Sequence, residues 1–175
     1  NSCYIPPESL SDYSEKQLIG KLAANLVMSE DFIFIGPGYT CLEVAKCLKD
    51  KNFLSVMTMN ISAAIELSDI PEFRLTTVPG DFTRRNGTYY VTGPLLLDYF
   101  HNVHFDKIFL TIDGFSLKRG FSVLDETIAK IFQPLLKQAD EVIICATASK
   151  INKNAMAYLG PANLATTFVT DTTPP

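Results

Sequence analysis

Apolar residues recur along this chain in two rhythms. Short β-prone runs occur at Phe32-Ile33-Phe34-Ile35, Leu54 to Thr58, Phe73 to Val78, Thr88 to Val91, Lys107 to Ile112, Glu141 to Ala146 and Leu164 to Thr170. Each reads as a strand. The runs at 107–112 and 141–146 are almost continuously apolar, as expected of strands covered on both faces of a parallel sheet. Between them the spacing turns helical. Leu18, Ile19, Leu22, Leu26 and Val27 share one face of a helix that opens on the capping box Ser14-Glu15-Lys16-Gln17 and ends near Ser29. Further helices are predicted over Cys41 to Leu48, Ile61 to Leu67, Leu95 to Phe100 behind Pro94, and Leu124 to Ala139. The last carries Asp125 and Glu126 in its first turn and is interrupted at Pro134. Residues 81–86 and 115–122 read as polar loops, with Asn86-Gly87 a strong turn signal. Alternating strands and helices predict an α/β fold with a mostly parallel sheet. Residues 1–13, with Pro6-Pro7, read as a lead-in, and residues 14–175 as one domain.

Composition narrows the function classes. Of 175 residues, 47% are hydrophobic, enough for a substantial core, and the net charge is −4. Duplex binding rests on clustered Lys and Arg. Here the basic pairs Arg84-Arg85 and Lys118-Arg119 are short and scattered, so they read as solvated loop residues. No apolar run is long enough to span a bilayer, and Asn1-Ser2-Cys3-Tyr4 does not open a signal peptide. Cys3, Cys41, Cys47 and Cys145 fit neither a zinc site nor a CxxC pair, and Cys145 lies in an apolar run. A reduced, cytoplasmic protein without metal or cofactor is expected.

The candidate chemistry begins at Gly36-Pro37-Gly38-Tyr39-Thr40, where a strand breaks through a glycine turn into a helix. Such a turn aims unpaired N–H groups and the positive end of a helix dipole at one point, which suits phosphate. Thr40 is expected to cap that helix and donate its hydroxyl. In open parallel sheets, ligands bind beyond the C-terminal strand ends. The other predicted ends carry Thr58 and Asn60, Gly80, Asp113 and Gly114, and Ser149 and Lys150. Together these residues describe a polar pocket with one anion-binding wall. Taken singly, Asn60 and Asp113 also suit turn caps, and Lys150 suits solvent.

The order of these motifs, over roughly residues 14 to 171, resembles the C-terminal sensor domain of the DeoR/GlpR family of bacterial sugar-metabolism repressors. The matching features are Gly38-Tyr39-Thr40, Thr58 with Asn60, Pro79-Gly80, Gly93-Pro94, Asp113-Gly114 and Ala148-Ser149-Lys150. Departures fall at Tyr39, Met59, Pro79 and Thr147, where the family pattern has Thr, an unbroken Thr-Asn pair, Gly and Asp. The resemblance implies a three-layer fold of the ribose-5-phosphate isomerase/CoA-transferase group. It implies an effector-binding domain that holds a phosphorylated sugar or related metabolite in a homo-oligomer, dimer or tetramer. Gly38, Tyr39 and Thr40 would hold phosphate, Lys150 would add charge, and Asn60 and Asp113 would read hydroxyls. DNA would be contacted only through a winged helix-turn-helix that is not among these residues; with a first residue other than Met, the chain is expected to be an excised sensor domain.

Two other readings remain at this point. One is a sugar-phosphate isomerase, in which Asp113, Lys118 and Glu126 echo the Asp, Lys and Glu of ribose-5-phosphate isomerase. The glycine-rich run before that glutamate is replaced here by Arg119-Gly120-Phe121-Ser122. The other is an oligomerisation module whose pocket has degenerated at the four departures.

Overall fold

A computed structural model describes residues 10–172. Its centre is a six-stranded, wholly parallel sheet. The strands are β1 (Phe32–Ile35), β2 (Ser55–Thr58), β3 (Arg74–Thr77), β6 (Phe105–Leu110), β9 (Ala139–Cys145) and β11 (Thr167–Val169), in the order β11-β9-β6-β1-β2-β3. The register runs Ile33 against Val56 on one side and against Lys107 on the other.

Side chains alternate across this sheet and bury on both faces. Ile33, Ile35, Phe109, Ile143 and Cys145 point into one apolar cluster, with α1 (Leu10–Ala24), α2 (Tyr39–Lys46) and α3 (Ile61–Leu67). Phe34, Ile108, Leu110 and Ile144 point into the other, with α4 (Glu126–Leu135) and the antiparallel strands. Those strands are the hairpin β4 (Asp81–Arg85) and β5 (Thr88–Thr92), and a sheet of β7 (Gly114–Ser116), β8 (Gly120–Val123) and β10 (Ala157–Gly160). Phe34 and Phe105 are fully buried edge to face, centroids 5.6 Å apart; burial of a side chain of that size contributes about 2 kcal/mol.

Several expectations are corrected. Helix α1 begins at Leu10 and runs through Ser14 and Gln17, so these do not form a capping box, and it ends at Ala24 rather than near Ser29. The lead-in is correspondingly shorter; residues 1–9 lie outside the described residues. The buried face of α1 continues through Ile19, Ala23 and Ala24 to Val27 beyond its end, whereas Leu18 and Leu22 are exposed. The small residues face α2 because the helices approach closely: a Cβ on Gly20 would lie 2.6 Å from the Glu43 carbonyl carbon.

Residues 81–86 and 115–122, expected as loops, form the β4–β5 and β7–β8 hairpins. Asn86 and Gly87, with φ of 48° and 77°, make the first turn, as Asn-Gly favours where both residues need positive φ. The segment after Pro94 is one 3-10 turn, Pro94–Leu96, and not a helix to Phe100. Helix α4 runs from Glu126, not Leu124, to Leu135, with Pro134 in its last turn, so the proline stops the helix and does not kink its middle. The last strand is cut to Thr167–Val169, and β10 falls in a stretch without a predicted strand.

Candidate functional site

At the C-terminal ends of β1, β6 and β9 the structure has a cleft of about 150 Å³. Its anion-attracting wall is the turn after β1. Gly38, with φ 101°, is the N-cap of α2, and no side chain caps the helix. The N–H groups of Tyr39, Thr40 and Cys41, in the first turn, therefore have no intrahelical acceptor. Thr40 lies inside α2 and is buried, a correction to its expected role as cap. Gly38 is required by its positive φ and by its neighbour, since an added Cβ would stand 3.1 Å from Thr111 Oγ1. Thr111 Oγ1 donates to the Pro37 carbonyl at 3.2 Å, tying the end of β6 to the turn.

Thr58 and Asn60 support this turn from behind and are both fully buried. Thr58 Oγ1 donates to the Ile35 carbonyl at 2.7 Å and accepts from the Asn60 N–H at 2.9 Å. Asn60 Nδ2 donates to the carbonyls of Gly36 and Gly38 at 3.2 and 3.0 Å, while its Oδ1 accepts from the Ala63 N–H and so caps α3. With its amide wholly committed, Asn60 holds the turn and does not reach the cleft, unlike the hydroxyl-reading role expected from the sequence.

Tyr39 occupies the rim. Its ring meets Tyr13 edge to face at 5.0 Å and has the ammonium groups of Lys46 at 5.3 Å and Lys16 at 5.7 Å. Its hydroxyl is hydrogen-bonded to Glu43, a buried carboxylate that also binds Lys46 Nζ at 2.7 Å. Partial burial, then the Glu43 charge, holds the Tyr39 pKa above the ordinary tyrosine value. In the core below, burial pushes the Cys41 thiol up to about 12 and Cys145 well above the usual thiol range, so neither is a nucleophile.

Of the residues expected at the site, Gly38, Tyr39, Thr40, Asp113 and Lys150 line the cleft. Gly36, Thr58, Asn60, Gly80, Gly114 and Ser149 do not. Gly80 is exposed at the foot of the β4–β5 hairpin, Gly114 is buried where β7 begins, and exposed Ser149 bonds Thr147 at 2.7 Å. Lys150 ends a 3-10 turn after β9 and forms no ion pair among the described residues. Asp113 Oδ2 accepts from the Leu124 N–H at 2.8 Å.

Sequence reasoning missed Lys16, the hairpin residues Arg85, Asn86, Thr88 and Tyr90, Thr111, and Asp125 at the head of α4. A usable signal was present in Arg84-Arg85 beside Asn86-Gly87: a tight hairpin places alternate side chains on one face, here Thr83 and Arg85 beside Thr88 and Tyr90. Burial raises the Tyr90 pKa, with the Arg85 charge opposing and the Asp125 charge adding to the rise. The isomerase trio is not assembled. Asp113 is in the cleft, Lys118 is exposed on the β7–β8 turn, and Glu126 pairs on the surface with Lys130 at 2.7 Å.

The family model described as the DeoR C-terminal sensor domain matches residues 11–172. The glycerol-3-phosphate regulon repressor of Escherichia coli K12 is 25% identical over 161 residues, 92% of this chain and 63% of that protein. The uncharacterized HTH-type transcriptional regulator YulB of Bacillus subtilis is 27% identical over 96% of this chain and 64% of its own length. The chain thus spans somewhat under two thirds of these relatives. Among solved structures, eIF2B delta from Chaetomium thermophilum superposes with a TM-score of 0.63 at 13% identity, over 92% of this chain and 57% of that one. Ribose 5-phosphate isomerase from Plasmodium falciparum gives 0.56 at 15%, over 81% and 54%. These two likenesses place the fold in the expected group and speak to fold alone.

Proposed function

The chain belongs to the DeoR C-terminal sensor domain family, and from that premise we propose that its cleft binds a phosphorylated sugar or related metabolite and thereby controls a DNA-binding domain outside these residues. The observation that carries the reading is the uncapped N-terminus of α2 at Gly38, opening into a cleft that Lys150 also lines. Phosphate would sit on the N–H groups of Tyr39 and Thr40, with the Lys150 ammonium as counter-charge. The name of one relative supports the ligand class, since it concerns a glycerol-3-phosphate regulon. A ligand of this kind acts only if it binds two states of the protein unequally; the reading places that difference in a homo-oligomer whose arrangement sets operator affinity, in the cytoplasm. The domain would sense and not catalyse, in keeping with a trio of isomerase-like residues that do not meet.

The test is thermal unfolding and calorimetry with glycerol 3-phosphate, ribose 5-phosphate and glucose 6-phosphate. A specific ligand at a hundred times its Kd stabilises the fold by about 2.7 kcal/mol. Lys150→Ala is expected to weaken that ligand at least tenfold and leave the unliganded melting temperature unchanged. If none of these compounds binds, the sensor reading fails in favour of a pocket without a ligand; turnover of about 1 per second or more on the sugar phosphates would replace it with an enzyme.

A further inference from the structure

The charge around the cleft is out of keeping with the rest of the chain. The chain as a whole carries a net charge of −4, yet the cleft is lined by Lys16, Arg85 and Lys150 against only Asp113 and Asp125. Both carboxylates are already engaged. Asp113 accepts from the Leu124 N–H, and Asp125 caps α4 by accepting from the N–H groups of Thr127 and Ile128 at 2.8 and 3.3 Å. Neither Arg85 nor Lys150 forms an ion pair with any acid among the described residues. A guanidinium held at a cleft mouth without a carboxylate keeps its paired donors for an oxygen-rich anion.

The two cations come from elements on opposite sides of the Gly38 turn. Lys150 follows β9, whereas the hairpin bearing Arg85 is anchored beside the end of β2, through Val91 N–H to the Met59 carbonyl at 2.8 Å and the bridge between Asn60 and Tyr90. In the sheet order β9-β6-β1-β2 the Gly38 turn lies between them. Three strand spacings separate β9 from β2, about 14 Å. One compact phosphate on the Gly38 turn satisfies a single flank of this arrangement.

Resting on the sensor reading above, we propose that the ligand is doubly anionic: a short polyol with a phosphate at one end and a second acidic group, phosphate or carboxylate, at the other, and that Arg85 selects for that second group. The first anion occupies the Gly38–Thr40 turn beside Lys150. The second lies under the hairpin, where Arg85 offers a two-pronged contact. Polyol hydroxyls between them face Thr111 and Tyr90. A singly phosphorylated sugar fills the turn and leaves the guanidinium without a partner.

Isothermal titration of the intact chain with fructose 6-phosphate, fructose 1,6-bisphosphate and 6-phosphogluconate, at fixed ionic strength, tests this. At least one doubly anionic probe is expected to bind ten times or more tighter than the monophosphate; which of them does so tells phosphate from carboxylate at the second position. Arg85→Gln should bring that ratio within twofold, weakening the doubly anionic probe far more than the monophosphate. Arg84→Gln, on the opposite hairpin face over Tyr89, should keep the ratio. Equal affinities for one and two anionic groups, or a ratio that survives Arg85→Gln, overturn the proposal and leave the sensor reading standing. Absence of binding by every probe overturns both.

Discussion

The side-chain amide nitrogen of Asn60 lies 3.0 Å from the carbonyl oxygen of Gly38, and the same nitrogen reaches the Gly36 carbonyl at 3.2 Å. One buried amide thus sets the curvature of the turn proposed to hold phosphate. With its oxygen spent on the Ala63 N–H, Asn60 also starts α3, so the turn and the helix share one support.

Asn60→Ala removes both functions. A lost helix cap costs about 1 kcal/mol, and a buried carbonyl left without a donor about 1–3 kcal/mol. We expect a total loss of about 2–4 kcal/mol, read from the urea midpoint, together with weakened phosphate binding. Asn60→Asp keeps the cap oxygen but cannot donate to the two carbonyls, so it separates the two roles: α3 stays capped and the turn is lost. Equal stability of Asn60→Ala and the parent chain is the result that sinks this account.

Gly38→Ala tests the backbone itself. A residue with a Cβ at φ 101° carries strain of about 1–3 kcal/mol, and here the new methyl also meets Thr111 Oγ1 at 3.1 Å. The variant should unfold at lower urea and lose affinity for any phosphorylated ligand, because relief of the strain redirects the N–H groups of the first turn. An unchanged midpoint speaks against the assigned geometry.

Lys107 offers a pH prediction far from the cleft. It is nearly buried in β6, with Asp31 at 2.8 Å and Glu141 at 3.6 Å. Burial alone lowers its pKa, but the Asp31 hydrogen bond and charge, helped by Glu141 and Asp106, outweigh burial and leave the pKa raised. A lysine whose folded pKa is raised contributes stability that is complete below its unfolded value of about 10.4 and fades as pH climbs through the folded value. Lys107→Met should therefore cost about 2–4 kcal/mol at pH 8, as it leaves Asp31 without its cation. It should also lose less than the parent as pH rises above about 10.4, in urea midpoints measured side by side. A parallel fall of the two curves over that range contradicts the assignment.

The central sheet was legible because its strands are apolar on both faces, as Ile33 and Phe34 illustrate by entering opposite clusters. The hairpins were harder. Arg84 and Arg85 make the exposed strand β4 look like a polar loop, and Lys118 and Arg119 in the β7–β8 turn mask the short strands on either side, although Tyr90, Val91, Phe121 and Val123 of the two hairpins are buried. The α1 boundary failed for a different reason. Gly20, Ala23 and Ala24 make its contact surface, and a close helix crossing selects small residues that a search for large apolar ones passes over. At the site, position along a strand end identified Gly38, Asp113 and Lys150. It could not tell a side chain facing the cleft from one folded back onto the backbone, which is why Asn60 and Thr58 were misplaced. Arg85 escaped because it arrives from outside the sheet.

The wholly parallel arrangement of the central sheet has a kinetic meaning. Neighbouring parallel strands cannot be joined by a tight turn, and β1 completes its pairing only when β6 arrives; the bond from the Phe32 N–H to Asp106 joins positions 74 residues apart. The loop-closure entropy of that encounter precedes any reward from it. Assembly is therefore slow relative to helical domains of the same size, and a nascent chain halted before residue 105 holds β1 with one edge unpaired and open to wrong partners.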